Sequence, residues 1–514
     1  MRVHLVNPSD VAFGTAVITP RWLFVLAGAT PPEYGDPTLI DETIAPLDPG
    51  SVGPGDVVGI GIHTANALRG FDVGRLARER GAYVIFGGIH ASLYPEEAYE
   101  RGAAHAVVKG DGDVVWAEAL AGCAAGAPKP LYEGGRVRPG RFAQARWDLM
   151  DSKRYMWASV QTVRGCPKHC SFCSVWRTDG QQPRQPSADS VIAEIVELRR
   201  MGFRFIALAD DNFYPVSLGD IALAEKRGDA VRAANLRRLR EERFELLERL
   251  SELPHDMIFF TQITMEAAED PAFLAAMAKA RIKGALVGIE AVTPEGLKAV
   301  FKEFNLSGEG LAERLRLFRE NGVHLVGSFI FGLSSDRKET FAATAELAKK
   351  ANLTLAQFVT MTPLPGTVDF ERWEKDAGDA VARVNGVPLT RYWLIPGHMR
   401  PKIYMPHPTM SAGEIRARTQ QVWDDYYRLG EIWKRIRGVG RTRDRLILLF
   451  MSKLYRQMYG NTGIATDSAR RNKANRWARW IAVIARKLFQ AKPMPGLQMP
   501  ARRGDTLQRA VAAQ

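Results

Sequence analysis

The sequence predicts an α/β protein: a doubly wound parallel sheet at the N-terminus, then a partial or complete (β/α) barrel, then a helical and basic C-terminal region. Three observations carry this. Short apolar, β-branched runs alternate with stretches of helical period from residue 1 to about 360, the pattern of parallel sheets with crossover helices. Glycine or acidic residues stand where most of those runs end, the carboxyl edge at which such sheets bind ligands. Charge is unevenly placed: Glu431 to Gln514 carries 19 Lys/Arg against 4 Asp/Glu, in a chain whose net charge is +13. A length of 514 residues implies two or three domains, read here as 1–140, 141–370 and 371–514.

In the first unit, Val3–Val6, Asp56–His63, Ala82–Phe86 and Ala106–Val108 read as strands, and Phe71–Arg80 and Pro95–Arg101 as helices. Gly61, Gly87, Gly88, Gly110 and Gly112 sit at the strand ends, where a missing side chain lets a planar or phosphate-bearing ligand approach the backbone. A connector from Pro128 to Lys153 leads into the second unit. Its strands are Val160–Val163, Phe205–Ala209, Ile258–Gln262, Ala285–Glu290, Leu325–Gly332 and Ala356–Thr360. Ser187 caps a helix running to Met201, and the charged stretch Asp220–Leu253 is an inserted helical elaboration. About six β/α units make a barrel or part of one. After Pro363-Leu364-Pro365-Gly366-Thr367 the chain turns irregular and aromatic to about residue 410, with Trp373, Tyr392, Trp393 and Tyr404 placed either to close a site or to form core. It is mostly helical from Ser411.

Hydrophobic residues make up 46% of the chain, enough for a sizeable core. The longest apolar run, Leu446–Met451, is far below the roughly 18 residues a membrane span needs. The N-terminus reads as a strand entering a loop, not as a signal peptide. A reducing cytoplasm follows as the expected compartment.

The chain has 4 cysteines, and three lie together in Arg164-Gly165-Cys166-Pro167-Lys168-His169-Cys170-Ser171-Phe172-Cys173. Structural zinc wants four closed ligands, and the only adjacent fourth donor is His169. A disulfide leaves one of the three unpaired. A C-x3-C-x2-C triplet suits an iron–sulfur cubane with one iron left open for another ligand. Cys123, in an Ala/Gly-rich stretch, reads as a buried small residue. Further polar residues stand at barrel strand ends: Asp210, Asp211 and Asn212, then Gln262, then Glu290, then the Gly327–Gly332 run with Ser328. Barrel enzymes assemble their sites there.

With Phe172 just before its third cysteine, the triplet resembles the radical S-adenosylmethionine (SAM) superfamily. The resemblance implies a [4Fe-4S] cluster on Cys166, Cys170 and Cys173 whose open iron is chelated by SAM. SAM is then cleaved to methionine and a 5′-deoxyadenosyl radical. The stretches GIGIHT (59–64), VIFGGIHAS (84–92) and VKGDGD (108–113) resemble the loops of a Rossmann-like cobalamin-binding domain. ALADDNF (207–213), VGIEAVTPEGL (287–297), GSFIFGLSSDRKETF (327–341) and TPLPGT (362–367) are similar to segments of cobalamin-dependent radical SAM enzymes. On this resemblance Phe172, Asp210, Asn212, Gln262, Glu290, Gly327, Ser328 and Gly332 lie on the SAM side. Glu290 is the strongest candidate acceptor for SAM's ribose or amino group. Gly61, His63, Thr64, Gly87, Gly88, Gly110 and Gly112 lie on the cobalamin side. The chain departs from the Asp-x-His-x-x-Gly pattern that supplies a lower cobalt ligand: residues 7–14 hold no histidine, and His63 and His90 are the stand-ins, each also readable as a packing residue.

The expected activity is methyl transfer through cobalamin to an unactivated carbon of a small-molecule or lipid-like substrate, with electrons from a flavodoxin- or ferredoxin-type donor. Alternatives are a radical SAM cyclase or oxidoreductase without methyl transfer, and a cobalamin or redox sensor with a basic binding tail. In that tail Trp477, Trp480, Ile481, Ile484 and Leu488 fall on one helical face, flanked by Arg476, Arg479, Arg486 and Lys487. Such a stripe packs on the body or lies at the inner membrane surface. No nucleic-acid-binding motif accompanies it.

Overall fold

The computed structural model describes residues 1–12, 14–305, 308–401, 405–437, 439–462, 487 and 489–500. Two parallel sheets dominate it. The first has the order Thr38–Asp41, Val3–Asn7, Val57–Gly61, Tyr83–Gly87, Ala106–Gly110, Leu131–Gly135. Its central strands are buried on both faces, which is why they read as continuous apolar runs. The two outer strands were not expected. Thr38–Asp41 is largely uncovered and Leu131–Gly135 alternates buried with exposed, so neither carries the apolar run of a central strand.

The second sheet runs Leu355–Thr360, His324–Phe331, Ile282–Glu290, Ile258–Ile263, Phe205–Leu208, Tyr155–Val160, Ala16–Ile18. Its two end strands do not pair, so the barrel is partial. The first barrel strand stops at Val160 rather than running to Val163, because Asp210 captures the next backbone amides. The edge strand Ala16–Ile18 comes from the first unit and pairs in parallel with Tyr155–Val160. The split expected near residue 140 therefore does not follow the sheets. The helix Arg21–Gly28 returns the chain, burying Leu23, Phe24, Val25 and Ala27. Phe24 meets Trp147 at 4.7 Å between ring centroids, and Arg21 pairs with Glu194 at 2.6 Å. One continuous apolar core runs from Leu5 and Trp116 to Ile192 and Phe259, so the two sheets share it.

The inserted stretch forms two helices, Leu218–Lys226 and Ala230–Ser251. The aromatic segment is more ordered than expected. It holds the helix Val368–Ala377, capped by Thr367, and a 3-10 turn at Leu389–Leu394. Phe370, Trp373, Tyr392, Trp393 and Ile395 form their own core. Trp393 is fully buried and donates to the Glu97 carboxylate at 3.1 Å, on the first unit. Asp369 accepts from Ser171 Oγ at 2.8 Å, inside the cysteine loop. These aromatics are core that joins the two units; Tyr404 lies outside the described residues.

The helices Ala412–Tyr426, Leu429–Ile436 and Thr442–Thr462 follow. The first covers the open barrel edge. Tyr427 OH donates to Ala356 O at 2.7 Å and accepts from Ala356 N at 3.0 Å. Trp423 Nε1 donates to Phe358 O at 2.8 Å. Side chains thus satisfy backbone groups that a bare edge strand would offer to another chain. The expected aromatic stripe 477–484 and Leu488 lies outside the described residues, as do Arg476, Arg479 and Arg486. Just beyond it, Phe489 packs on Trp157 and Phe205, each at 5.0 Å, and Gln490 donates to Ser152 O and Tyr155 O. Among the described residues no helix is long and apolar enough to cross a membrane.

Trp393→Ala is expected to destabilise the chain by about 3–5 kcal/mol, the range for deleting a buried aromatic, measured as a lowered urea midpoint. Phe is expected to recover part of this, leaving the loss of one charge-assisted hydrogen bond, about 1.5–3 kcal/mol.

Candidate active site

The carboxyl ends of both sheets open on one cleft of about 550 Å³. Its first wall carries Gly61, Ile62, His63, Gly87, Gly88, Gly110 and Gly112; its second carries Ser159, Gln161, Arg164 and Ala209; Trp22 and Trp116 line its side. Arg164 belongs to the cysteine loop, so that loop reaches the cleft.

The five expected glycines all line this cleft but differ in what stands beside them. A Cβ on Gly61 would lie 2.5 Å from the Trp22 ring, so that vacancy is filled by the chain's own indole. Gly88 and Gly110 hold positive φ, +90° and +82°, and a Cβ on either would lie 2.5 Å from a carbonyl oxygen, of Ile62 and Gly135 respectively. Both serve tight turns. Gly87 and Gly112 have no such close neighbour and leave open wall.

His90 is fully buried, with Nε2 3.1 Å from Glu97 Oε2 and Nδ1 3.4 Å from Thr64 Oγ1. It is a packing residue, and Thr64 partners it. His63 lines the cleft; its Nδ1 accepts from Ala65 N at 3.2 Å. Surrounding protein and, secondarily, His90 lower its pKa, so it is neutral at pH 7.

Asp111 joins the walls. Its carboxylate takes Arg164 at 3.0 Å, Arg184 at 2.7 Å and the Val137 amide at 2.6 Å. Arg164 and Arg184 are themselves bridged backbone to backbone, and Arg164 also meets Asp113 at 3.3 Å. Burial alone would raise the Asp111 pKa, but Arg164 and the hydrogen bonds hold it low.

The cysteine loop is pinned through its backbone. Asp210 is 1% exposed and accepts from Thr162 N, Thr162 Oγ1 and Val163 N at 2.5–2.8 Å. Arg243 backs it by donating to Thr162 Oγ1 and Thr162 O. Asp210, expected on the SAM side, spends both carboxylate oxygens on the loop's own Thr162 and Val163. Asp211 accepts from Gly165 N at 2.7 Å; burial and Asp179 push it up to about 7. Asn212 is likewise buried and spent on the turn, bonding Tyr214 and Thr264. Cys166 N donates to Gly180 O, Ser171 N to Val300 O, and Cys173 N to Cys170 O.

Of the other expected residues, Gln262 is exposed at its strand end. Glu290 lies beside Cys170, paired with the buried Lys302 at 2.8 Å. Phe172 packs with Ala291, Val300 and Met361. Ser328 Oγ accepts from Gln357 at 2.9 Å. Gly327 gives room to Leu353. Gly332 takes φ +89° and donates to Asp336 at 2.8 Å. Trp22, Trp116, Gln161 and Lys302 were not expected. Lys302 carries no sequence signal, since its only mark is where the fold sends it; Arg164 stands two residues before Cys166 and was open to inspection.

Burial pushes the Cys166 thiol up to about 12 and Cys173 up to about 11, so a group seated on them must supply positive charge to draw off the protons. The three thiols feel one another's charge, but among the described residues no three His, Cys, Asp or Glu side chains converge on a single metal ion. A cubane spreads its protein ligands over separate irons and fits that arrangement; a closed zinc site does not. Cys123, by contrast, is buried away from the loop with its thiol pushed up to about 12, as a packing residue should be.

Residues 160–348 match the model of the radical SAM superfamily. The chain carries a radical SAM domain. The match opens on the strand leading into the cysteine loop and ends within the helix Lys338–Lys350. Beyond that domain, the chain is 26% identical to the bacteriochlorophyllide d C-8(2)-methyltransferase of Chlorobaculum tepidum over 376 residues, 69% of this chain and 78% of that one. In fold it is similar to the cobalamin-dependent SAM radical enzyme OxsB, solved with aqua-cobalamin and SAM, with a TM-score of 0.64 and 13% identity over 100% of this chain and 80% of that one. It is also similar to the radical SAM methyltransferase TsrM of Kitasatospora setae, solved with cobalamin and a [4Fe-4S] cluster, with a TM-score of 0.61 and 19% identity over 88% of this chain and 100% of that one.

Asp111→Asn is expected to cost about 3–5 kcal/mol, because the buried Arg184 loses its counter-charge and Arg164 keeps only Asp113. A depressed carboxylate contributes stability above its unfolded pKa and loses it as the pH falls through the folded one. The difference between variant and wild type should therefore be full at pH 7 and shrink as the pH falls below about 3.9, in denaturant titrations repeated across pH.

Proposed function

We propose that this chain is a cobalamin-dependent radical SAM methyltransferase acting on a carbon of a small-molecule or lipid-like substrate. The single observation that carries the reading is the shared cleft. The glycine-lined edge of the first sheet faces the edge of the radical SAM domain, and Arg164 of the cysteine loop stands in the wall. When bound, the [4Fe-4S] cluster and SAM supply a 5′-deoxyadenosyl radical, and cobalamin supplies a transferable methyl group.

In this reading residues 1–140 hold cobalamin, 141–370 hold the cluster and SAM, and 371–514 support both. Cys166, Cys170 and Cys173 hold the cluster. Gly87 and Gly112 leave wall for the corrin, and neutral His63 offers a ring nitrogen to it. Glu290, paired with Lys302 through one carboxylate oxygen, has the other for the SAM amino group, and Gln262 is exposed at its strand end. Trp22 and Trp116 line the cleft with apolar surface and exclude water there. Hydrogen abstraction from an unactivated carbon needs that dry, shaped enclosure. A low-potential donor of flavodoxin or ferredoxin type supplies the electron, and the compartment is the cytoplasm. The tail's excess of basic residues supports peripheral contact with an anionic membrane surface, which suits a lipid-like substrate.

Protein purified and reconstituted without oxygen is expected to retain corrinoid and to convert SAM to both S-adenosylhomocysteine and 5′-deoxyadenosine. Cys170→Ala should lose at least 10³-fold of the 5′-deoxyadenosine yield while corrinoid absorbance stays. Turnover of SAM by a wild-type protein that holds no corrinoid would overturn the reading.

A further inference from the structure

We propose that Lys302 is the fixed positive charge of the cysteine loop: a buried ammonium, held by Glu290, that sets how readily an iron–sulfur group on that loop accepts an electron. This deepens the function proposed above and rests on it.

Lys302 is 6% exposed. Its Nζ lies 2.8 Å from Glu290 Oε1 and 5.8 Å from the centre of the Phe172 ring, between Cys170 and Cys173 in sequence. Its charge acts on all three cysteines, and on Cys170 more strongly than that of Glu290 does. The other nearby cation, Lys168, spends its ammonium on Glu266 at 2.8 Å.

The surroundings are built around the pair. A Cβ at Gly288 would stand 2.2 Å from Glu290 Oε1 and 2.6 Å from Lys302 Nζ, so glycine there is the room the pair occupies. Glu290 and Phe301 both take left-handed backbone, φ +66° and +56°, a conformation that side chains resist and that surrounding structure must hold. That structure is a latch. Asn305 Nδ2 donates to Gly288 O and Ile289 O, Lys302 N to Leu297 O, and Ser171 N to Val300 O. The last bond ties the lysine's loop directly to the cysteine loop.

A buried ion pair contributes little to stability compared with apolar packing of equal volume. Placed beside three thiolates it has an electrostatic consequence instead. One electron added to a cluster there gains attraction to the ammonium, and in a site shielded from water that attraction is large.

The test is a potentiometric titration of the reconstituted full-length protein, followed by cluster absorbance and by the EPR signal of the reduced cluster. Lys302→Met is expected to make reduction at least tenfold less favourable, a midpoint lower by about 59 mV for one electron. Lys302→Arg should stay within that margin of wild type. The double variant Lys302→Met/Glu290→Gln, which leaves no unpaired buried charge, should fall below wild type by less than the single one. Lys302→Met with full cluster content and an unchanged midpoint overturns the proposal. If that variant does not fold, Lys302→Gln takes its place, and an unchanged midpoint there overturns the proposal. A wild-type protein that assembles no cluster overturns the proposed function instead.

Discussion

One carboxylate holds the molecule in its working shape. Asp111 leaves the first sheet at the turn after Ala106–Gly110 and receives Arg164 from the cysteine loop and Arg184 from the segment bridged to it. Few other contacts tie a glycine-rich strand end to a cysteine loop so directly. Because the charges are mostly buried, water does not compete well for them, and Arg164 has Asp113 as a second partner. The two carboxyl edges, which a linear chain sends anywhere, are thereby set facing each other across the cleft.

The same economy appears below the cleft. Asp210 and Asp211, in the turn after Phe205–Leu208, and Asp369, on the helix Val368–Ala377, hold the cysteine loop from two sides. Two of the three act on backbone amides, which fixes the loop's path rather than a side-chain rotamer. A loop that must present three thiols to one inorganic group cannot wander, since a small displacement of one ligand strains the others. The acidic strand ends that barrels usually turn toward ligand are in part turned inward here, as supports. Thr162 and Arg243 complete that support.

Much of the fold was legible because parallel strands buried on both faces leave apolar runs that nothing else resembles. Val57–Gly61 and Tyr83–Gly87 are of that kind. Ala16–Ile18 was not legible: three residues with two exposed give no pattern, and their strand partner lies more than a hundred residues away. The aromatic segment was ambiguous for a different reason. Trp373 and Trp393 are core, but an indole suits a binding wall equally well, and only its neighbours decide. Trp22 shows the converse, an indole that does line the cleft.

The sequence by itself determined the cysteine triplet's spacing, the two parallel sheets and the alternation that builds them, because spacing and burial periodicity are local properties of a chain. Tertiary structure alone decided which polar residues face the opening. It turned Asp210 and Asn212 into supports, filled the space beside Gly61 with Trp22, and brought Lys302 under the cysteines. Each of those outcomes depends on a neighbour distant in sequence, and a charge or a vacancy takes its meaning from what stands within a few ångströms of it.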